Sequence, residues 1–233
     1  MASKRALLKL SGESLSGGGS SIDSASLKRT AAEIKTALNA GDIQLAVVIG
    51  GGNLWRGAGK SMDRVTADKI GMLATVMNSL ALNDSLKDAG LKCKVFSASG
   101  VSGFAEQFNR EKAVKCLEKG NIVIFAGGTG NPFFTTDTTA ALRAAEIKAD
   151  LLLKATQVDG IYSADPKKDA NAVKYDSLSF TEAIEKRLKI MDSEAFSLCM
   201  QSNISISVFD FYKDGNLSKA LSGEKIGTVV ENR

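Results

Sequence analysis

The sequence predicts an α/β protein, a three-layer αβα arrangement with a mainly parallel open sheet and helices on both faces. Two observations carry this. Apolar runs of strand length alternate with segments of helical periodicity along the chain, the pattern of successive β–α units. The glycine clusters "KLSGE", "GGGN" and "GGTGNP" each follow an apolar run, where strands end. A chain of 233 residues buries one good core. With no internal repeat and no low-complexity linker, a single unit over 1–233 is expected.

Taken in order, "RALLKL" (5–10) reads as a strand. In "SLKRTAAEIKTAL" (26–38), Leu27, Ala31, Ile34 and Leu38 recur at helical spacing, with Asp23 as N-cap. "IQLAVVIG" is the next strand, and a long helix is expected from about Val65 to Ala89. "CKVFSA" reads as a strand, "NREKAVKCLEKG" as a helix closed by Gly120, and "NIVIFA" as a strand. "TDTTAALRAAEI" follows as a helix and "DLLLKA" as a strand. "SLSFTEAIEKRL" and "SEAFSLCMQS" read as helices, and "ISISVFDF" as a strand.

Composition removes several function classes. Lys plus Arg exceeds Asp plus Glu by only 4, with no arginine-rich run, so no nucleic-acid surface is expected. No stretch is long and apolar enough to span a membrane, and "MASKRALLKL" lacks a cleavage-site pattern, so a cytoplasmic protein is expected. The three cysteines are far apart and form no CxxC motif, which fits reduced thiols. Histidine is absent, which excludes a histidine general base and most zinc sites.

The charged residues in apolar strands are the sharpest chemical signal. Lys9 shares a strand face with Leu7, and Lys154 ends the run "LLLK". Buried parallel strands are usually apolar throughout, and a lysine there is costly unless paired. Each lysine alone is compatible with a snorkelling strand-end residue. Together, beside glycine- and threonine-rich turns, they suit two ammonium groups facing phosphate oxygens, with Asp137 as the carboxylate that orients both. Three glycine-rich turns on one sheet edge suit an anionic ligand approached by backbone N–H groups. "LWRGAGKS" is not a P-loop, because Leu54 stands where the first glycine belongs.

In order along nearly the whole chain, "KLSGE", "VVIGGGNLWRG", "GMLATVMNSLAL", "AGGTGNPFFTTDT", "LLLKATQVDGIYSADP" and "KIMD" resemble the bacterial uridylate (UMP) kinases of the amino acid kinase superfamily. The resemblance implies ATP-dependent phosphorylation of UMP, with acceptor binding mainly in the N-terminal part and ATP binding mainly in the C-terminal part. It implies that Lys9, Leu10, Ser11 and Gly12 meet ATP phosphates, joined by Gly52 and Arg56, the latter also catalytic. Thr156, Tyr162 and Asp165 would hold the ATP nucleoside. Gly51 would bind the UMP phosphate and Asp68 its ribose. Thr129, Gly130, Asn131, Pro132, Phe133, Phe134, Thr135 and Thr136 would wrap the acceptor. In that wrap the glycines clear space for the ligand, Phe133 and Phe134 form an apolar wall, and at least one of the two is expected in the core. Lys154 would face the transferred phosphoryl group, and Asp192 would support the site from behind. Mg²⁺ would arrive with ATP, held mostly by phosphate oxygens and water, with no protein ligand assigned.

Two further expectations concern assembly and control. "IGMLATVMNSLAL" (70–82) is apolar on nearly all sides, so part of it is deeply buried or shared between subunits. The resemblance favours sharing, in a hexamer built from dimers. It also implies inhibition by UTP through the UMP contacts. Activation by GTP is expected to be weak or absent. The segment "LSGGGSSI" carries no charge and no aromatic where relatives often place an acid and a phenylalanine, and Lys87, Lys92 and Lys94 lack arginine's fork for phosphate. Two rival readings remain at this stage: a superfamily enzyme phosphorylating a carboxylate or carbamate, and a non-catalytic nucleotide sensor on the same fold.

Overall fold

The computed structural model describes residues 4–19, 21–57, 61–166, 168–169, 171–224 and 226–233. In chain order the strands are β1 (Lys4–Leu10), β2 (Ile43–Ile49), β3 (Cys93–Ser97), β4 (Glu106–Gln107), β5 (Ile122–Ala126), β6 (Leu151–Thr156), β7 (Ile161–Tyr162), β8 (Lys174–Tyr175), β9 (Ser177–Ser179), β10 (Ser205–Asp210) and β11 (Thr228–Glu231). The helices are α1 (Ser24–Asn39), α2 (Arg64–Asp88), α3 (Arg110–Glu118), α4 (Thr136–Glu146), α5 (Phe180–Glu185), α6 (Ser193–Gln201) and α7 (Asn216–Ser222), with a 3₁₀ turn at Gly12–Leu15. Part of the "LWRGAGKS" stretch, residues 58–60, lies outside the described set, as does residue 20 of "LSGGGSSI".

Nine strands form one sheet in the order β4-β3-β5-β2-β1-β6-β10-β11-β9, and β7 and β8 form a separate ribbon. Every pairing in the large sheet is parallel except β10 with β11. On one face, α1, α2 and α7 contribute Ile34, Leu82, Leu86 and Leu217 to a core with Leu8, Leu10 and Val47. On the other, α3 to α6 contribute Leu117, Ala140, Ala144, Ala183 and Phe196 to a core with Leu7, Val48 and Leu152. This is the three-layer arrangement the alternating pattern predicts. The small residues of α4 let it lie close over β1, β2 and β6.

Asp23 caps α1 as expected, accepting from Ser26 N at 2.7 Å. One helix boundary is corrected. Residues 177–179 are strand, and α5 begins at Phe180 behind a capping box in which Ser179 and Glu182 exchange side-chain and backbone bonds. That S-x-x-E signature is visible in the sequence and marks the helix start. The strands β4, β7, β8, β9 and β11 are too short to have shown a period, whereas helix α7 does space Leu217, Ala220 and Leu221 helically. The sheet changes direction of growth at β1: β2 leads to one side of it and β6 lies on the other. In open parallel sheets, the carboxyl ends of strands at such a point form the ligand crevice.

Candidate active site

β1 and β6 are neighbours in register, so Leu7 pairs with Leu152 and Lys9 with Lys154. With a side-chain period of two, both lysines emerge on the face covered by α4. That helix begins at the crevice. Thr135 is its N-cap, accepting from Asp137 N at 3.0 Å and Thr138 N at 3.2 Å. This places Asp137 in the first turn, where the helix dipole favours a carboxylate. Asp137 meets both lysines: Lys9 Nζ lies 2.9 Å from Oδ1 and Lys154 Nζ 2.6 Å from Oδ2. The three side chains are only 14–16% exposed.

Burial alone would raise the Asp137 pKa, but the Lys9 charge and then the Lys154 charge outweigh it and hold the carboxyl below its ordinary value. Burial drives Lys154 the other way, below the usual lysine range, against the opposing pull of Asp137. Lys154 Nζ also donates to Ile190 O at 2.6 Å. Behind the centre, Asp192 accepts from Thr138 Oγ1 at 3.0 Å, from Ala195 N at 2.8 Å and from Thr135 Oγ1. One carboxylate thus ties the N-termini of α4 and α6 together. Cys199, buried on α6, has its thiol pushed up to about 12 by burial and by the charges of Asp137 and Asp192, so it stays protonated.

Two clefts flank this centre. One, of about 370 Å³, lies between α2 and the loop after β5; its walls include Gly51, Gly52, Trp55, Asp68, Thr75, Thr129, Asn131 and Phe134. The other, of about 530 Å³, is walled by Lys154, Thr156, Gly160, Tyr162, Asp165, Pro166 and residues 186–190. A third, of about 560 Å³, lies by the 3₁₀ turn and includes Glu13, Arg29, Gly52, Arg56 and Tyr212.

The amino acid kinase family model matches residues 4–210. The chain belongs to the amino acid kinase family. It is similar over its full length to the UMP kinase of Bacillus anthracis, at 36% identity and a TM-score of 0.95, covering 100% of this chain and 97% of that one. The UMP kinase of Ureaplasma parvum is also 36% identical, with a TM-score of 0.93 and full coverage of both chains. The uridylate kinase of Archaeoglobus fulgidus is 32% identical, with a TM-score of 0.74 over 97% of this chain and 99% of that one.

In this family member, Gly51, Asp68, Thr129, Asn131, Phe134, Thr135 and Thr136 line the first cleft, Lys154, Thr156, Tyr162 and Asp165 the second, Arg56 the third and Gly52 the first and third, while Lys9, Leu10, Ser11, Gly12 and Asp137 line none of them. Asp68 accepts from Phe133 N at 2.7 Å and from Arg64 Nε at 2.7 Å, clamping the loop after β5 to α2. The Phe133 amide is presented at a left-handed φ of 74°, a conformation disfavoured for a side chain of that size. Phe133 and Phe134 are 61% and 50% exposed, so neither is core. Phe134 lines the cleft, while Phe133 lies under the Arg64 guanidinium, 5.6 Å from its ring centroid. Gly130, Pro132 and Phe133 shape the loop without lining the cleft.

Glycines do more than clear space for a ligand. A Cβ at Gly51 would stand 2.8 Å from Gly71 O, and one at Gly127, where φ is 75°, would stand 2.6 Å from Ser97 Oγ. Both therefore admit close chain packing. Thr156 spends its hydroxyl on Val158 O at 2.7 Å and Phe209 O at 3.1 Å, holding the turn that forms the second cleft. Tyr162 donates to Asp159 at 2.7 Å. Arg56 pairs with Glu13, and both line the third cleft together with Gly52. The sequence reading missed Glu13, the Ile190 carbonyl and Trp55. Trp55 is the chain's single tryptophan and stands two residues after "GGGN", a signal that was available.

Proposed function

We propose that this chain is a UMP kinase, transferring the γ-phosphoryl group of ATP to UMP to give UDP in pyrimidine nucleotide biosynthesis. The observation that carries the reading is the pair of lysines on one carboxylate, set between a cleft of pyrimidine-nucleotide size and a second cleft walled in part by Lys154. The full-length likeness to UMP kinases supports it. UMP occupies the cleft of Gly51, Asp68 and residues 129–136. The ATP nucleoside occupies that of Thr156, Tyr162 and Asp165. Gly12, Gly52 and Arg56 attend the phosphates between. The N-terminal part of one unit thus serves mainly the acceptor and the C-terminal part mainly ATP.

An oxygen of the UMP phosphate attacks the γ-phosphorus as the bond to the ADP leaving oxygen breaks. That oxygen is already anionic, so no base is needed, in keeping with a chain that has no histidine. Lys9 and Lys154 offset charge on the transferred group, and Asp137 keeps both ammonium groups aimed at it. Mg²⁺ enters as part of the MgATP substrate. Both Asp137 oxygens are engaged by ammonium groups, so the ion would be held by phosphate oxygens and water.

Leu73 and Met77 stand 56% and 55% exposed, one turn apart on the outer side of α2. They support subunit contact there, within a hexamer built from dimers. UTP inhibits by occupying the UMP contacts. No helix among the described residues is long and apolar enough to cross a membrane, and we place the enzyme in the cytoplasm, with no nucleic-acid partner. The test is turnover with MgATP and a panel of nucleoside monophosphates: UDP forms readily, and CMP, AMP and GMP are poor acceptors. Comparable turnover with CMP would overturn the base selectivity, and absence of any diphosphate would overturn the function.

A further inference from the structure

Two asparagines form a buried amide pair behind the phosphate loops. Asn78 on α2 is fully buried and Asn53, at the end of "GGGN", is 5% exposed. Asn78 Nδ2 donates to Asn53 Oδ1 at 2.7 Å and to Gly50 O at 2.7 Å; Asn53 Nδ2 donates back to Asn78 Oδ1 at 3.2 Å and to Ser21 O at 3.3 Å. Both side chains are thus fully used, in a place where an unpaired amide is costly.

The pair touches both phosphate loops at once. A Cβ at Gly12 would lie 2.3 Å from Asn53 Oδ1, 2.9 Å from Asn53 N and 3.0 Å from Gly50 O, so the Asn53 amide is seated directly against the loop after β1. Gly50 N also donates to Leu10 O at 3.0 Å. Three residues before Asn78 on the same helix face, Thr75 accepts from Gly127 N at 2.8 Å, which pins the loop after β5 to the same support.

We propose that Asn78, acting through Asn53, is a positioning residue that sets the separation between the donor-phosphate loop at Gly12 and the acceptor-phosphate contact at Gly51. The inference rests on the reading of this centre as a phosphotransfer site. Neither asparagine needs to touch a nucleotide. The pair acts as a spacer, and phosphoryl transfer is sensitive to a spacer because a misplacement of about 1 Å can cost on the order of 100-fold in rate.

The experiment compares wild type with Asn78→Ala, Asn78→Asp, Asn53→Ala and the double alanine variant, with both substrates saturating. Each single change is expected to lower kcat roughly 10- to 100-fold, with KM for either nucleotide within about threefold, because alignment rather than binding is lost. The double variant is expected to be no slower than the slower single, since the two amides act as one unit. Asn78→Asp keeps the volume and Asn53→Ala lies at the pair's edge, so one of them reports if Asn78→Ala fails to fold. A folded variant with wild-type kcat, or one whose KM rises while kcat holds, overturns the proposal. Hydrogen exchange supplies a readout free of turnover: peptides spanning 10–15 and 49–54 exchange faster in Asn78→Ala, while 151–156 is unchanged. If wild type makes no UDP, the function reading fails on its own. Unchanged exchange in both loop peptides then overturns the spacer independently.

Discussion

Replacing Asp137 by Asn tests the centre most directly, because it removes one charge and almost no volume. The two lysines then face each other from paired positions on strands ~5 Å apart, with no carboxylate between them. At a separation of roughly 6 Å and an effective dielectric near 20, their repulsion is about 3 kcal/mol, and removing one partner of a buried ion pair costs about 3–5 kcal/mol. The side chains retain 14–16% exposure, so the low end, about 3 kcal/mol, is expected. For a chain of this size that is a fall in Tm of roughly 6–12 °C. The pH dependence carries the signature. Asp137 is held below its ordinary 3.8, so its contribution is present above that value and lost as pH falls through the lower folded pKa. Lys154 is held below 10.5, so the penalty for burying its charge is complete below the folded pKa and relieved as pH rises from there towards 10.5. The gap in Tm between wild type and variant is therefore widest near neutral pH and narrows at both ends. MgATP is expected to raise the Tm of the variant more than that of wild type, since its phosphates supply the missing counter-charge, while kcat falls on the order of 100-fold. Thermal melts across pH decide the matter. A variant that melts with wild type at neutral pH, or a gap that is flat with pH, refutes the reasoning.

Four further outcomes are expected. Lys154→Met lowers kcat on the order of 100-fold or more; near wild-type turnover would make Lys154 a snorkelling strand-end residue. In wild type, the alkaline limb of kcat/KM lies below the ordinary lysine value of 10.5 because burial depresses Lys154, and Lys154→Arg moves that limb upward. Leu73→Asp or Met77→Asp, on the outer side of α2, yields smaller particles than wild type in light scattering; a wild-type protein that is itself monomeric at micromolar concentration would remove the basis for shared burial. GTP leaves the initial velocity at subsaturating MgATP nearly unchanged, because ordering the glycine–serine segment after the 3₁₀ turn costs roughly 1–2 kcal/mol per residue and Lys94 is already paired with Glu106 at 3.2 Å. A several-fold rise in rate would show that this segment is not the determinant.

What the sequence determined by itself was local. The alternation of strand and helix, the cap at Asp23, and the odd presence of Lys9 and Lys154 in apolar strands were all legible, because each is a departure or a period within a few residues. Asp137 was legible as a first-turn acid. That these three groups meet was expected from their chemistry, but how they meet was decided by the register of β1 against β6 and the seating of α4 over them, which join residues 128 and 145 positions apart along the chain. The exposure of Phe133 and Phe134 came from the clamp of Asp68 on a backbone amide, a contact with no signature in either segment. Gly51 was expected to meet the UMP phosphate, and its missing side chain also makes space for α2. Asn78 was silent: one polar residue in an apolar helix says nothing of its partner, and only the packing of α2 against the turn at Gly50 made it half of a pair. Periodicity reports which face of an element is buried, since burial depends on the element's own side chains. It does not report what lies across the interface, since hydrogen bonds and ion pairs between distant segments depend on both partners and on the packing that brings them together.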